Sequence, residues 1–447
     1  MGDRLTGENQ RLDHLVICPQ CHTLYEKVPL PPGQRAKCRV CGTVLYRHDP
    51  RYLDRALALS ITGILLFLIA NLFPLVKIDM LGHKQYVSIF EALYQLYASG
   101  FYIVTMAVAF MVLIIPILVM VDYTVVAFLM RQRRAGKVVR DLLVLLAHLL
   151  PWSMVDIFAV SILVALVKLR DEVSIYFGLS FWALIAYVMI DIYLTKAKRL
   201  GHLWELYYYF YQKERVPAGR DPSSQEEDGS HTATTDTPDA LDTGETPDVI
   251  RCPVCEAVNY AQNDPIVCHR CGSNIYRNSR EGVSRTWALL LTAMLLYFPA
   301  NLYPILEIKS LFGHSSNTII GGVIALWDDG SYPVALIIFL ASVLVPILKF
   351  ILLLYLLISI RYPVAESKSA RHRLFTFIEI IGPWSMVDVF VVTILTGLVK
   401  YDSFKIIAGP GATAFVLMVF FTMLAALSFD PRWIKDSEEI RREHVTD

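Results

Sequence analysis

The sequence predicts an α-helical integral membrane protein with eight transmembrane helices, arranged as two parallel four-helix modules, each preceded by a small cytoplasmic ribbon built on cysteines. Three observations carry that prediction. Eight apolar segments are each long enough to span a bilayer, the eight cysteines fall into two matching sets, and short motifs recur at a nearly constant offset. Composition agrees: 55% of residues are hydrophobic and 18% charged, with a mean hydropathy of +0.46, where a soluble domain carries about 25% charged residues. A formal net charge of zero supplies no bulk attraction to nucleic acid.

Residues 1–50 form the first ribbon. Cys18-x2-Cys21 and Cys38-x2-Cys41 stand 16 residues apart, the arrangement of two knuckles that close one tetrahedral all-thiolate site. Four thiolates leave no open position for water, so the site reads as a structural zinc ribbon and not as catalytic zinc. Iron in the same cage is the other occupant that this spacing allows. Reduced thiols place the ribbon in the cytoplasm. The polar start, with Cys18 and Cys21 inside it, predicts no cleaved signal peptide.

The first transmembrane module, residues 51–215, holds apolar segments at 54–76, 101–130, 141–167 and 174–195; a spanning helix needs about 20 such residues. Residues 216–249 are rich in Pro, Gly, Ser, Thr and acids, the composition of a disordered linker. Residues 250–280 form the second zinc ribbon, with Cys252-x2-Cys255 and Cys268-x2-Cys271 separated by 12 residues. In both ribbons a glycine follows the last cysteine (Gly42, Gly272) and a Tyr-Arg step follows that (Tyr46-Arg47, Tyr276-Arg277). The second module, residues 281–435, holds segments at 286–307, 332–360, 374–399 and 409–428, and residues 436–447 are a charged cytoplasmic tail.

Charge sets the orientation. The loop Arg131–Arg140 holds Arg131, Arg133, Arg134, Lys137 and Arg140; Lys196, Lys198 and Arg199 follow the fourth span, and Arg361–Arg373 repeats the pattern. By the positive-inside rule these loops and both termini are cytoplasmic, and residues 77–100 and 308–331 face the other side. The amphipathic stretches Val87–Gly100 and Asn317–Gly330 are expected along that outer interface.

The halves are duplicates. Ala70-Asn71-Leu72-Phe73-Pro74-Leu75 matches Ala300-Asn301-Leu302-Tyr303-Pro304-Ile305 at an offset of 230, as Pro116-Ile117-Leu118 matches Pro346-Ile347-Leu348. Pro151-Trp152-Ser153-Met154-Val155-Asp156 matches Pro383-Trp384-Ser385-Met386-Val387-Asp388 at 232. Four spans per half is an even number, so the repeats are parallel, related by an axis along the membrane normal. A cleft between such halves is the first place to look for a substrate.

Polar residues inside the spans carry the rest. An ionised group at the bilayer centre costs about 2.5–3.5 kcal/mol on insertion scales, so it faces protein or water and takes a partner. Ser385 and Asp388 are three apart and share a helix face, with Thr396 two turns further on. Ser342 and Lys349, seven apart in the sixth span, share another, and Lys349 is the natural counter-ion for Asp388. The first half keeps Ser153 and Asp156 but has Val112, Val119 and Val164 in place of Ser342, Lys349 and Thr396. That asymmetry favours a working network in the second half over a buried salt bridge that only locks helices. Asp191 of the fourth span falls roughly opposite Thr422 of the eighth, and both join the candidate set. Asp122 and Glu379, nearer span ends, are expected to be hydrated, and His148 to pack. Asn71 and Asn301 are expected to cap carbonyls freed by the prolines three positions later.

Paired CxxC ribbons ahead of four spans each, the Ala70–Leu75 and Ala300–Ile305 motifs and the two Pro-Trp-Ser-Met-Val-Asp boxes resemble the paraquat-inducible protein A family. The resemblance covers the whole chain except the linker. It implies a multi-pass protein of the cell inner membrane, encoded with a periplasmic MCE-domain protein whose hexameric rings form a tunnel. Together such a pair moves phospholipids between the inner and outer membranes, with no enzyme activity. It also implies two structural Zn2+ on the eight cysteines and an intramembrane role for Ser342, Lys349, Ser385 and Asp388. The chain has no GxxxxGK[ST] phosphate loop. Protonation of Asp388 against Lys349 would then couple transport to the proton gradient. Two other readings stay open: a membrane redox protein with thiolate-bound iron, and a passive anchor for the MCE partner.

Overall fold

A computed structural model describes residues 12–211 and 249–433 apart from short interruptions. Cys21, Glu379, the tail and all of the linker but its last residue lie outside the described residues, as do the side chains of Asp388 and Thr396.

Each ribbon is a pair of two-stranded antiparallel hairpins. In the first, β1 (Leu15–Ile17) pairs with β2 (Leu24–Glu26) and β3 (Arg35–Lys37) with β4 (Val44–Arg47). Helix α1 (Tyr52–Leu72) leads into β5 (Val76–Met80), β6 (His83–Val87) and α2 (Ile89–Ala98). Helix α3 (Tyr102–Ala109) runs through a π turn (Phe110–Ile114) into α4 (Ile115–Arg131). A 3-10 turn (Leu150–Trp152) separates α5 (Gly136–Leu149) from α6 (Val155–Leu169), and β7 (Ser174–Phe177), α7 (Leu179–Thr195) and α8 (Arg199–Tyr211) complete the half.

The second half repeats the plan. Its ribbon pairs β8 (Val249–Arg251) with β9 (Val258–Tyr260) and β10 (Ile266–Val267) with β11 (Asn274–Ile275). There follow α9 (Arg280–Leu302), β12 (Leu306–Ser310), β13 (Gly313–Asn317), α10 (Ile319–Asp328) and α11 (Tyr332–Phe339). A π turn (Leu340–Leu344) joins α11 to α12 (Val345–Arg361); a 3-10 turn (Gly382–Met386), α13 (Val387–Leu398), β14 (Phe404–Ala408) and α14 (Pro410–Ser428) end it.

The helices bear out a multi-pass membrane protein, and six or seven of the eight expected spans fall among the described residues. Six stretches among the described residues are long and apolar enough to cross a bilayer: Tyr52–Leu72, Tyr102–Arg131, Gly136–Leu166, Glu281–Leu302, Ser342–Ile360 and Pro410–Ser428. Leu179–Thr195 with Leu200–Tyr211 makes a seventh if the two helices form one span. It begins later than the segment 174–195 because residues 174–177 are the extended strand β7. The segment 374–399 falls partly outside the described residues.

The loops opposite the basic ones hold strands that the sequence reading missed. β5 is the centre of a sheet ordered β6-β5-β7, and β12 of one ordered β13-β12-β14. Val76-Lys77-Ile78-Asp79-Met80 and the apolar-first start of Leu306-Glu307-Ile308-Lys309 carried the signal, since apolar and polar residues alternate with a strand's period. The registers pair Val76 with Phe177 and Leu306 with Ala408. Phe177 and Ala408 are 231 positions apart, and that offset puts Asp191 opposite Thr422.

The prolines explain the breaks. A proline ring clashes with the carbonyl four residues back and offers it no donor. Just before Pro116 and Pro346 the helix widens into a π turn, where the amides of Ile115 and Val345 reach the carbonyls of Phe110 and Leu340. Pro151 and Pro383 lie in the 3-10 turns. Ser385 therefore sits in a tight turn and Asp388 in the first turn of α13, instead of together on one continuous helix face. Asn71 and Asn301 also differ from expectation: each side chain donates to the carbonyl four residues back in its own helix, Phe67 at 2.8 Å and Tyr297 at 2.9 Å. The Ala70 carbonyl, which Pro74 frees, is taken by the Ser180 hydroxyl. Asp122 is 5% exposed and so is buried, not hydrated, while His148 is exposed with Nδ1 2.8 Å from the Val144 carbonyl.

Contacts divide the chain into two compact units that do not follow chain order. One comprises residues 1–61, 120–151 and 193–278. In it the ribbons share a small apolar core, Leu12 and Ile17 against Val258. Both also touch α8: Lys27 Nζ lies 3.1 Å from Glu205, and the Arg270 guanidinium 5.0 Å from the Tyr208 ring centre. The other unit comprises residues 62–119, 152–192 and 279–447. There α9 packs along α14, and α13 lies against α2 and α6. Helix α2 thus buries Ile89, Ala92, Leu93 and Leu96 within the protein and presents Phe90, Tyr94 and Tyr97 outward.

Gly178 and Gly411 stand at the starts of α7 and α14, where each meets the end of the first transmembrane helix of its half. A methyl group on either would come within 3.0 Å of a backbone oxygen, that of Pro74 or of Tyr303. Gly178→Ala and Gly411→Ala are each expected to cost about 1–3 kcal/mol through overpacking, read as a lower thermal midpoint of detergent-solubilised protein. An unchanged midpoint would contradict the close approach.

Candidate functional site

Two thiolate cages come first. In the second ribbon Cys252, Cys255, Cys268 and Cys271 are all buried with their sulfurs within 4.8 Å of one another. Cys252 and Cys271 are 3.6 Å apart and Cys255 and Cys268 3.4 Å. A tetrahedral ion with bonds of about 2.3 Å to sulfur holds its ligands roughly 3.8 Å apart, so the cage fits a thiolate-bound metal. In the first ribbon Cys18, Cys38 and Cys41 meet the same limit, with Cys18 and Cys41 3.4 Å apart; Cys21 lies outside the described residues.

Local backbone builds the cages. The amides of Cys18, Cys38, Cys252 and Cys268 each bond a carbonyl five residues on (Thr23, Thr43, Ala257, Ser273) at 2.8–3.0 Å. Gly42 and Gly272 take φ of 72° and 76°, which brings their amides to the Cys38 and Cys268 carbonyls at 2.9 Å. That left-handed position favours glycine.

An outer hydrogen-bonding group stands at the same place in both ribbons, four residues after the second cysteine. The Tyr25 hydroxyl is 3.1 Å from Cys38 Sγ and accepts the Arg39 amide at 3.2 Å. Asn259 Nδ2 is 3.7 Å from Cys268 Sγ, and its Oδ1 accepts the His269 amide at 3.1 Å. Burial, with the Cys38 thiol beside it, pushes the Tyr25 phenol up to about 12, so it remains a donor at neutral pH. The sequence offered no signal for this pair, because tyrosine and asparagine share no pattern.

The intramembrane cluster centres on Lys349, 1% exposed in α12. Its Nζ donates to Thr422 Oγ1 at 3.1 Å and to the Gly382 carbonyl at 3.4 Å. The Ser385 hydroxyl donates to that same carbonyl at 2.8 Å, and the Thr422 hydroxyl donates to Val419 at 2.7 Å. Ser342 is buried and donates at 2.6 Å to Ile338 in its own helical stretch. Lys349, Ser385 and Thr422 are thus brought together, and the Gly382 carbonyl joins them. A backbone acceptor is silent in a sequence; Gly382-Pro383 was the only sign that a helix breaks there. In the first half Val112 and Val119 are buried, and Ser153 Oγ is buried with no hydrogen-bond partner among the described residues. Asp156 opens α6, and buried Asp191 occupies in α7 the place that Thr422 has in α14.

A family description of paraquat-inducible protein A matches residues 53–208 and again residues 283–438. The chain belongs to the paraquat-inducible protein A family. It is 31% identical to intermembrane transport protein PqiA of Escherichia coli (strain K12) over 433 residues, 96% of this chain and 97% of that one. It is 30% identical over 437 residues to lipophilic envelope-spanning tunnel protein A of the same strain, covering 98% and 94%. A probable intermembrane transport protein of Haemophilus influenzae is 26% identical over 434 residues, 94% and 95% of the two chains. No solved structure matches. Two of these relatives are named as intermembrane transport proteins and the third as a tunnel protein, and none of the three names is that of an enzyme.

Purified protein is expected to carry about two metal ions per chain, one in each cage. Cys255→Ser is expected to remove one and to melt its ribbon, because metal binding and folding are linked in such small domains. Elemental analysis that finds no bound metal would contradict the cages.

Proposed function

We propose that this chain is the inner-membrane subunit of a lipid transport system, passing phospholipids between the bilayer and a periplasmic tunnel of MCE-domain protein. The observation that carries the reading is the buried Lys349 cluster, present in only one half of a duplicated chain that has relatives named for intermembrane transport. The first half builds the equivalent helix with Val119, so the repeat itself has no need of an ammonium group. An ionisable residue kept within a span against its solvation cost marks a transport pathway before a packing role.

Each residue has a place in the mechanism. Lys349, Ser385 and Thr422, with Ser342 on the same helical stretch, offer a polar patch for a head group. Exposing acyl chains to water costs about 0.8 kcal/mol per CH2, so the chains stay in an apolar groove while the head group moves. Asp388 and Thr396 follow Ser385 along the chain, and Asp388 trades a proton for its ion pair with Lys349 to couple transport to the proton gradient. Ser153, Asp156 and Asp191 form the counterpart in the first half. The ribbons hold structural zinc on the cytoplasmic side, together with both termini.

Transport between vesicles tests this. Lys349→Met with Thr422→Val exchanges a buried polar pair for apolar groups of similar volume, a change that is often near neutral for stability. The double variant is expected to fold and to lose transport; full transport would leave the passive anchor as the reading. Asp388→Asn and a collapsed gradient are each expected to stop transport, and transport that continues under both would sink proton coupling alone.

A further inference from the structure

The two cages differ in a way that the shared motif hides. All four sulfur ligands of the second are buried, Cys271 at 4% exposure among them. In the first, Cys18 and Cys38 are buried at 0% and 3%, whereas Cys41, the counterpart of Cys271, is exposed. Its sulfur lies 3.2 Å from the Thr43 hydroxyl. The outer groups differ too: the Tyr25 hydroxyl sits 3.1 Å from Cys38, and the Asn259 amide 3.7 Å from Cys268.

We propose that the first ribbon is an exchangeable divalent-metal site and the second a permanent one, with Tyr25 the positioning residue that keeps Cys38 on the metal while Cys41 opens. Exchange starts at the one described ligand that an incoming group can reach. A cytosolic thiol gives up its proton and its sulfur bonds the metal; the bond from Cys41 breaks, and the freed Cys41 sulfur takes a proton. A bound divalent ion would exchange one sulfur bond for another, with no change of charge and no electron moved. Cys18 and Cys38 stay bonded because no thiol reaches them. The hydroxyl of Tyr25, itself held by the Arg39 amide, withdraws charge from the Cys38 sulfur and fixes its direction, as outer hydrogen bonds do at metal sites.

The test uses the full-length zinc-loaded protein in detergent and a coloured chelator supplied with a small thiol. Zinc is expected to leave in two phases of equal size, the first roughly tenfold faster or more, a barrier difference of about 1.4 kcal/mol. The fast phase is expected to speed up with thiol concentration and to be missing in Cys41→Ser. In cobalt-loaded Tyr25→Phe, the thiolate-to-metal absorption is expected to move to longer wavelength and the fast phase alone to change rate. A packing role would leave the absorption where it is. Should Tyr25→Phe fail to fold, brief alkylation of the zinc-loaded wild type decides: Cys41 is expected to be modified ahead of Cys18, Cys38 and the four cysteines of the second ribbon. Release in one phase, a fast phase that survives Cys41→Ser, or even alkylation would overturn the proposal.

Discussion

Inside a bilayer no water is available to satisfy a stray polar group, and this fold is organised by how it answers that constraint. Prolines in the spans free or loosen backbone carbonyls, and several of these are dealt with locally. Ser180 takes that of Ala70, and π turns make room for Pro116 and Pro346. At Gly382 the answer is a cation: Lys349 and Ser385 both point at one backbone oxygen. The polar cluster is thus a helix break that has been given a charged partner, and the first half has the break without the partner.

Duplication followed by divergence runs through the whole chain. The sheets, π turns, 3-10 turns and crowded glycines recur in both halves because they solve the same packing problem twice. Aromatic pairs recur as well, Tyr97 with Tyr102 and Trp327 with Tyr332, each with ring centres 5.0 Å apart. The side chains differ widely between the halves, and three of the differences change polarity or hydrogen bonding at the sites described above: valine against lysine at 119 and 349, aspartate against threonine at 191 and 422, and tyrosine against asparagine at 25 and 259.

The large features were legible in the sequence for physical reasons. Long apolar runs have few structures open to them in a bilayer, and CxxC pairs have few uses, so the spans and the cages could be read directly. The pairing of Lys349 with Thr422 was within reach because both are polar in apolar spans, although their meeting point, the carbonyl of Gly382, carries no side-chain mark. The sheets were missed even though Val76 to Met80 alternates plainly, because such short strands sit in what reads as a loop between spans. The shared core of the ribbons, Leu12 and Ile17 with Val258, joins residues more than two hundred positions apart, and no local pattern announces such a contact.

The central claim is that lipid passes the Lys349 side of the duplicated fold. Photo-crosslinking to radiolabelled phospholipid in living cells tests it most directly, with one probe placed beside Ser385 and another beside Ser153. The account predicts labelled lipid at the Ser385 site alone. Lipid at neither site, or equally at both, would contradict it.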